Sequence, residues 1–160
     1  MLELKMFIKN DTIEEREQMI YDLLNSEPFL AFSIAFTHFE WSLKRTILSL
    51  SKTPSIVVKK KLEESLTINN YRTLWSKEIK GKLGLRVLAK QFSDWNNIVE
   101  SFKMRDRLFE NSKSINTNKL KNLTKSLINS ARELNTLCLQ FDINIYIKVQ
   151  IRQNRFLKVI

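Results

Sequence analysis

The stretch from Glu27 to Leu50, EPFLAFSIAFTHFEWSLKRTILSL, determines how this 160-residue chain folds. Its apolar residues recur every three or four positions, which is the spacing of one face of an α-helix, and further apolar residues widen that face. A helix that is apolar on most of its sides has to be surrounded by other elements. The stretch therefore predicts a central helix that ends before Pro54. The members of the main stripe are Phe29, Phe32, Phe36, Phe39, Leu43, Ile47 and Leu50.

Helical periodicity also dominates the sequence on both sides of this stretch. The segment 12–24 begins at Asp11 or Thr12 as a helix cap, and carboxylates in its first turn favour a helix N-terminus. A short helix follows around Val58–Leu66, and the pair at 69–70 predicts a break. The remaining predicted elements are an amphipathic stretch at 71–82, a long helix from about Leu85 to Phe109, and a last helix over 118–140.

The C-terminal tail has a different period. Apolar residues occupy every second position from Phe141 to Ile151, which is typical of a β-strand, and Gln153-Asn154 is a possible turn. We therefore predict one domain over 1–160 with an all-α fold. It consists of an up-and-down bundle of four to five helices at about 12–140, with a β-strand or hairpin appendage at about 141–160.

Composition excludes several classes of protein. Two Gly and two Pro are too few for a turn-rich sandwich or barrel, or for a glycine-loop nucleotide site. One Cys and one His exclude a disulfide framework, Cys-based zinc fingers and any site that needs two histidines. We expect neither a metal nor another cofactor. There is no apolar run long enough to cross a membrane and no signal-peptide pattern at residue 1, so we expect a cytoplasmic protein.

Charge gives the first positive indication of a partner. The chain carries 27 Lys and Arg against 17 Asp and Glu, a net charge of +10. The excess is uneven, because residues 53–160 hold 21 basic and 9 acidic side chains, which amounts to +12. A basic face of this kind favours a nucleic acid partner. The alternative is that lysines, such as those of the run Lys59–Lys61, merely keep helices soluble.

A local conflict marks the candidate site. The apolar stripe of the long helix passes through Phe102 and Phe109, yet Arg105 and Asp106 stand where apolar residues are expected. Glu40 interrupts the stripe of the central helix in the same way. Charges facing a core are costly unless they are paired, so the two groups can satisfy each other if the helices pack. The alternative is an ordinary helix end where these groups reach water.

At these residues the sequence resembles a family. The stretch 94–111, DWNNIVESFKMRDRLFEN, with the polar loop and helix after it, is similar to the core of HEPN domains, and 36–47, FTHFEWSLKRTI, is similar to the family helix that faces their motif. That motif is an Arg followed by a polar residue, and four to six intervening residues then lead to a His. Arg105 and Asp106 match its beginning, whereas Glu110 stands in the position of the His and Asn111 where Gly is common.

The resemblance implies metal-independent cleavage of RNA in a cleft that two subunits share. The implied catalytic positions are Arg105, Asp106, Glu110 and Glu40, and the implied nucleic-acid contacts are Arg107, Asn111, Lys113, Lys59, Lys60 and Lys61. Glu110 repels phosphate, so we expect a degenerate or weak nuclease that binds RNA as a homodimer. The implied setting is a bacterial toxin, a defence system or a mobile element, with a cognate antitoxin or another protein as a possible partner. The alternative is a non-catalytic dimeric interaction or scaffolding module.

Two further residues have competing interpretations. Cys138 falls on the apolar stripe of the last helix, which favours a core position over a nucleophile. His38, the single imidazole, lies two residues from Glu40 and is either structural or a replacement proton carrier. Aromatic residues lie mostly on apolar stripes, and the possible base-stacking exceptions are Tyr71, Trp75 and Tyr146.

Overall fold

A computed structural model describes residues 12–110 and 114–146, apart from the side chain at position 82. The described part is all helical, with six helices arranged as a bundle. They are α1 (Ile13–Leu23), α2 (Pro28–Leu50), α3 (Ser55–Glu63), α4 (Ile68–Trp75), α5 (Trp95–Phe109) and α6 (Thr117–Leu139). The predicted nucleic-acid contacts Asn111 and Lys113, and the tail from 147 onward, lie outside the described residues.

The central helix is confirmed as α2. It packs most extensively along α6 and also contacts α1, α3 and α5, so nearly every side of it faces protein. Phe32, Phe39, Leu43 and Ile47 are all fully or almost fully buried, as the apolar stripe predicts. Because α2 packs against several helices at once, the side chains on its different faces have different neighbours.

Local capping explains where two helices begin. Thr12 and Glu15 form a reciprocal capping box at the start of α1, with hydrogen bonds of 3.2 Å and 2.7 Å. Thr67 and Asn70 do the same at the start of α4. The predicted break at 69–70 is therefore wrong, because the Asn70 side chain caps a helix instead of interrupting one.

The segment between α4 and α5 departs from the predicted long helix. After α4 the chain continues through a π-helical segment, Ser76–Lys80, and one α-helical turn, Gly81–Leu83. Gly84, with φ of 68°, takes the left-handed conformation that ends this turn. A 3₁₀ turn at Leu88–Lys90 follows, and α5 begins only at Trp95. The helix predicted from about Leu85 therefore begins ten residues later.

The predicted strand is not found where the structure describes the tail. Residues 141–146 form turns, with Asp142 in the left-handed region at φ of 57°. This turn folds the chain back so that Ile145 is fully buried, and Arg45 Nε donates a hydrogen bond of 3.0 Å to the Ile145 carbonyl. These six residues are therefore held by one buried apolar side chain and one hydrogen bond to a backbone carbonyl, and not by strand pairing.

Candidate anion-binding site

Arg105 lies in the last turns of α5, beside two aromatic rings. Its guanidinium carbon is 5.1 Å from the centre of the Phe36 ring and 5.2 Å from that of Phe102. These two rings meet edge to face at 4.9 Å, which joins α2 to α5. The Arg105 cation is attracted to the faces of these rings, so its charge is stabilised at the apolar stripe without being buried in the core.

Hydrogen bonds then fix the direction of the guanidinium. Nε and Nη2 donate to the same carboxylate oxygen of Asp106, at 3.0 Å and 2.9 Å, and Nη2 also donates to the Leu66 carbonyl at 3.0 Å. Within the described part of the chain, Nη1 makes no hydrogen bond. The Arg105 side chain is 22% exposed, and Nη1 is its one guanidinium nitrogen without a hydrogen bond to these residues.

The expected pairing of Glu40 with Arg105 and Asp106 is replaced by a hydrogen bond from Tyr71. The Tyr71 hydroxyl donates to Glu40 Oε1 at 2.7 Å, and Lys44 Nζ lies 3.6 Å from the same oxygen. Burial and the neighbouring carboxylate raise the pKa of Tyr71 well above its usual range, so it remains a donor. Glu40 is thereby satisfied from α4, and Arg105 is free of it.

Arg105 and Asp106 border a cleft of about 260 Å³ between α4 and α5. Three cationic side chains line it, Arg72, Lys103 and Arg105, against the single carboxylate of Asp106. Lys103 also pairs with Glu100 at 2.9 Å. The half-buried Trp95 provides an aromatic wall. Polar and apolar side chains complete the lining, namely Thr67, Ile68, Asn69, Val99 and Phe102. We call this the Arg105 cleft.

Two predicted residues at the C-terminal end of α5 are not part of the lining of this cleft. Arg107 is exposed on the helix surface. Glu110 is exposed at the C-terminus of α5, where its backbone N–H donates to the Asp106 carbonyl at 3.2 Å. Glu110 therefore stands one helical turn beyond Asp106, next to the solvent.

The run Lys59–Lys61 does not enter the Arg105 cleft. Lys61 Nζ lies 2.7 Å from the buried carboxylate of Glu78, which also accepts hydrogen bonds from Ser51 and Thr53 at 2.9 Å and 2.6 Å. Lys61 thus balances a buried charge. Lys59 lines a separate cleft between α2 and α3, and Lys60 is exposed on α3.

The position of His38 favours a structural role over that of a proton carrier. It is fully buried, its ring is stacked against that of Trp41, and its Nε2 lies 3.5 Å from the Tyr146 hydroxyl. Burial, and then the charge of Arg16, lower the pKa of His38 to about 3. Two residues on a helix differ by about 200°, so His38 and Glu40 point to opposite sides of α2.

Sequence reasoning missed Arg72, Lys103 and Trp95 as lining of the cleft. The Thr67-x-x-Asn70 pattern was the available signal, because a helix that starts there brings its first turns beside α5. The possible stacking residues Tyr71 and Trp75 are instead fully buried. Neither ring has a face open to a base.

Phe109 is the largest departure from the predicted stripe. It is 82% exposed, although its spacing from Phe102 predicts an inward position. Leu66, whose carbonyl holds Arg105, is 65% exposed. Phe109 follows Arg105 by four residues on α5, so these two side chains are neighbours, whereas Leu66 reaches Arg105 through its backbone carbonyl.

No family model, curated protein or solved structure matches the chain. Within residues 12–110 and 114–146, no helix has the length and apolar character needed to cross a membrane, and no group of three or more acidic, His or Cys side chains is placed to hold a metal ion.

Proposed function

We propose that this protein binds RNA through the Arg105 cleft. The observation that carries the proposal is the convergence of Arg72, Lys103 and Arg105 on one cleft, in a chain of net charge +10. Asp106 is the one carboxylate in the lining, and Lys103 also pairs with Glu100. A guanidinium whose direction is already fixed loses little entropy when it binds a phosphate. Phe36, Phe102, Asp106 and Leu66 supply that preorganisation.

Trp95 supports single-stranded RNA as the ligand. It is half-buried, its ring is stacked on Phe92 at 6.1 Å between ring centres, and it lines the cleft beside the cations. Single-strand binding sites combine a basic groove for the backbone with aromatic rings for the bases. The cleft offers both features within one site.

The resemblance to HEPN domains adds an enzymatic proposal. Arg105 and Asp106 occupy the first two positions of the motif, and Glu110 occupies the position of its His. Cutting RNA without a metal needs one group that takes the 2′-hydroxyl proton and another that protonates the leaving oxygen. Arginine does not release its proton at neutral pH, and His38 is buried on another face of α2. We therefore propose a degenerate ribonuclease with weak activity.

The same proposal includes a homodimer with Arg105 near its two-fold axis. Phe109 and Leu66 support it, because both are large apolar side chains that are mostly exposed and would lose contact with water against a second copy. A cytoplasmic setting in a toxin or defence system, with an antitoxin as protein partner, belongs to this proposal as well.

These exposed apolar residues also favour a second candidate function. In that case the protein is a non-catalytic dimeric interaction or scaffolding module, and the face around Phe109 contacts another protein instead of RNA. A test of RNA binding distinguishes the RNA-binding function from the scaffold, because a scaffold that does not bind RNA in the cleft loses no RNA affinity when Arg105 is changed.

The binding test measures the affinity for labelled single-stranded RNA in wild type, Arg105→Gln and Lys125→Gln. Lys125 is exposed on α6 outside the cleft, so its variant is a control for the loss of one charge. Three phosphate contacts imply a salt slope of about −2, hence a loss of affinity of roughly 20-fold between 50 mM and 200 mM salt. Arg105→Gln should lower affinity about tenfold, and Lys125→Gln should lower it by less than about twofold.

Equal effects of the two substitutions would refute the cleft as the binding site. Absence of RNA binding at low salt would refute the proposed function and leave the scaffold. Cleavage is tested on the same RNA without metal, where we expect little product from wild type and more from Glu110→His. Strong cleavage that survives Glu110→Ala would show that the catalytic position is elsewhere.

Light scattering tests the dimer. We expect twice the chain mass of 19.0 kDa at tens of micromolar protein, and a shift toward the monomer in Phe109→Ser. A wild-type protein of 19.0 kDa under these conditions contradicts the dimer.

A further inference from the structure

A second, larger cleft lies at the side of α6. It measures about 740 Å³ and is bounded by the segment 84–91 and the C-terminal half of α6. The cations Arg86, Lys90 and Arg132 line it, together with one carboxylate, Glu133. Its size is within the usual range for ligand sites. We call it the α6 cleft.

Hydrogen bonds give the segment that carries Arg86 and Lys90 a defined shape. The Arg86 carbonyl accepts from Trp75 Nε1 at 3.0 Å and from Gln91 Nε2 at 2.9 Å. Farther along, the Ser93 backbone N–H donates to Glu133 Oε1 at 3.0 Å, which ties the segment to α6. The backbone that presents the two cations is therefore held from both sides.

The cations of the α6 cleft differ in how far they are neutralised. Arg132 is held by Glu17, which accepts from Nε at 2.6 Å and from Nη2 as well, so its charge is balanced. Arg86 and Lys90 are exposed, and neither forms an ion pair with a carboxylate in the described part of the chain. Since Glu133 is the one carboxylate in the lining, the cleft keeps a positive balance.

The two clefts adjoin along the chain. Trp95 lines the Arg105 cleft and Gln91 lines the α6 cleft, so these two lining residues are four positions apart in the chain. Four residues span at most about 14 Å. At about 3.4 Å for each stacked nucleotide, that upper limit corresponds to about four nucleotides at most.

We propose that the α6 cleft is a second phosphate-binding subsite for the same RNA strand. A strand bound in the Arg105 cleft passes Trp95 and places later phosphates beside Arg86 and Lys90. This inference rests on the proposed function, and it names the substrate class as single-stranded RNA longer than about four nucleotides.

The experiment compares RNA single strands of 4 and 12 nucleotides, with wild type and three variants. Arg86→Gln/Lys90→Gln removes two charges from the α6 cleft, and Lys52→Gln/Lys125→Gln removes two exposed charges outside both clefts. Arg105→Gln alters the first cleft. Arg86 and Lys90 are exposed, so their replacement should leave the thermal unfolding midpoint unchanged.

We expect Arg86→Gln/Lys90→Gln to weaken binding of the 12-mer at least tenfold and to change binding of the 4-mer less than twofold. Arg105→Gln should weaken binding of both. If the 12-mer is unaffected by the double variant, or affected no more than by the Lys52→Gln/Lys125→Gln control, the second subsite is refuted while the Arg105 cleft stands. If wild type binds neither strand, the proposed function itself fails. A mononucleotide that binds as tightly as the 12-mer contradicts an extended strand.

Discussion

His38 should make the stability of this protein fall as the pH decreases from 7 to 5. It is the single histidine of the chain, and it is fully buried between the aromatic side chains of Trp41 and Tyr146 with the cation of Arg16 nearby on α1. Burial and Arg16 lower its pKa from 6.5 to about 3. The folded protein therefore keeps this ring neutral under conditions in which an unfolded chain protonates it.

The sign and size of the effect follow from this difference. Below pH 6.5 the unfolded state binds a proton that the folded state does not, so the free energy of unfolding decreases as the pH falls through 6.5 toward 3. Between pH 7 and pH 5 the loss from this one group is about 2 kcal/mol. With a urea dependence of about 2 kcal/mol/M, the unfolding midpoint moves down by roughly 1 M.

Urea unfolding at the two pH values, in wild type and His38→Gln, measures this effect. The variant lacks the titrating ring, so its midpoint should move by much less than that of wild type, whatever its stability at pH 7. The chain has no other histidine, so any contribution of histidine titration to the change in the wild-type midpoint comes from His38. A wild-type midpoint that is the same at both pH values, or an equal shift in the variant, refutes the reasoning.

Three further predictions concern the core and the site. Phe102→Ala should lower the free energy of unfolding by about 3–5 kcal/mol, because the ring is buried among aromatic neighbours, and a loss below about 1 kcal/mol in urea unfolding would contradict its place there. Tyr71→Phe removes the hydroxyl that donates to Glu40 and should cost about 1–2 kcal/mol by the same measurement, whereas no change would show that water replaces it freely. Cys138 is buried beside the Thr46 hydroxyl, and burial raises its pKa, so a thiol reagent should modify it only in urea, and rapid labelling of the folded protein would contradict this burial.

Two features of the candidate site separate what periodicity predicts from what packing decides. The position of Arg105 in an apolar stripe was visible from its spacing to Phe102, because helical periodicity fixes the angle at which a side chain leaves its helix. Its partners were not visible, since the Leu66 carbonyl lies 39 residues away and the Phe36 ring comes from α2. A stripe identifies a misplaced charge, but a neighbouring helix determines what satisfies it.

The sequence by itself determined the helical class, the central position of α2 and the capped start of α1, because these depend on local spacing and on hydrogen bonds within one turn. Only the tertiary structure decided where the apolar stripe of α5 leaves the bundle. Phe109 continues the period but is 82% exposed, since no helix covers that end of α5 in the described residues. The Glu40 carboxylate likewise accepts a hydrogen bond from Tyr71 and does not pair with Arg105, because the capped α4 places the Tyr71 hydroxyl 2.7 Å from it. The period of the apolar residues determines the direction in which each side chain leaves its own helix. Whether that side chain is buried, and which group it pairs with, depends on the helices that pack beside it.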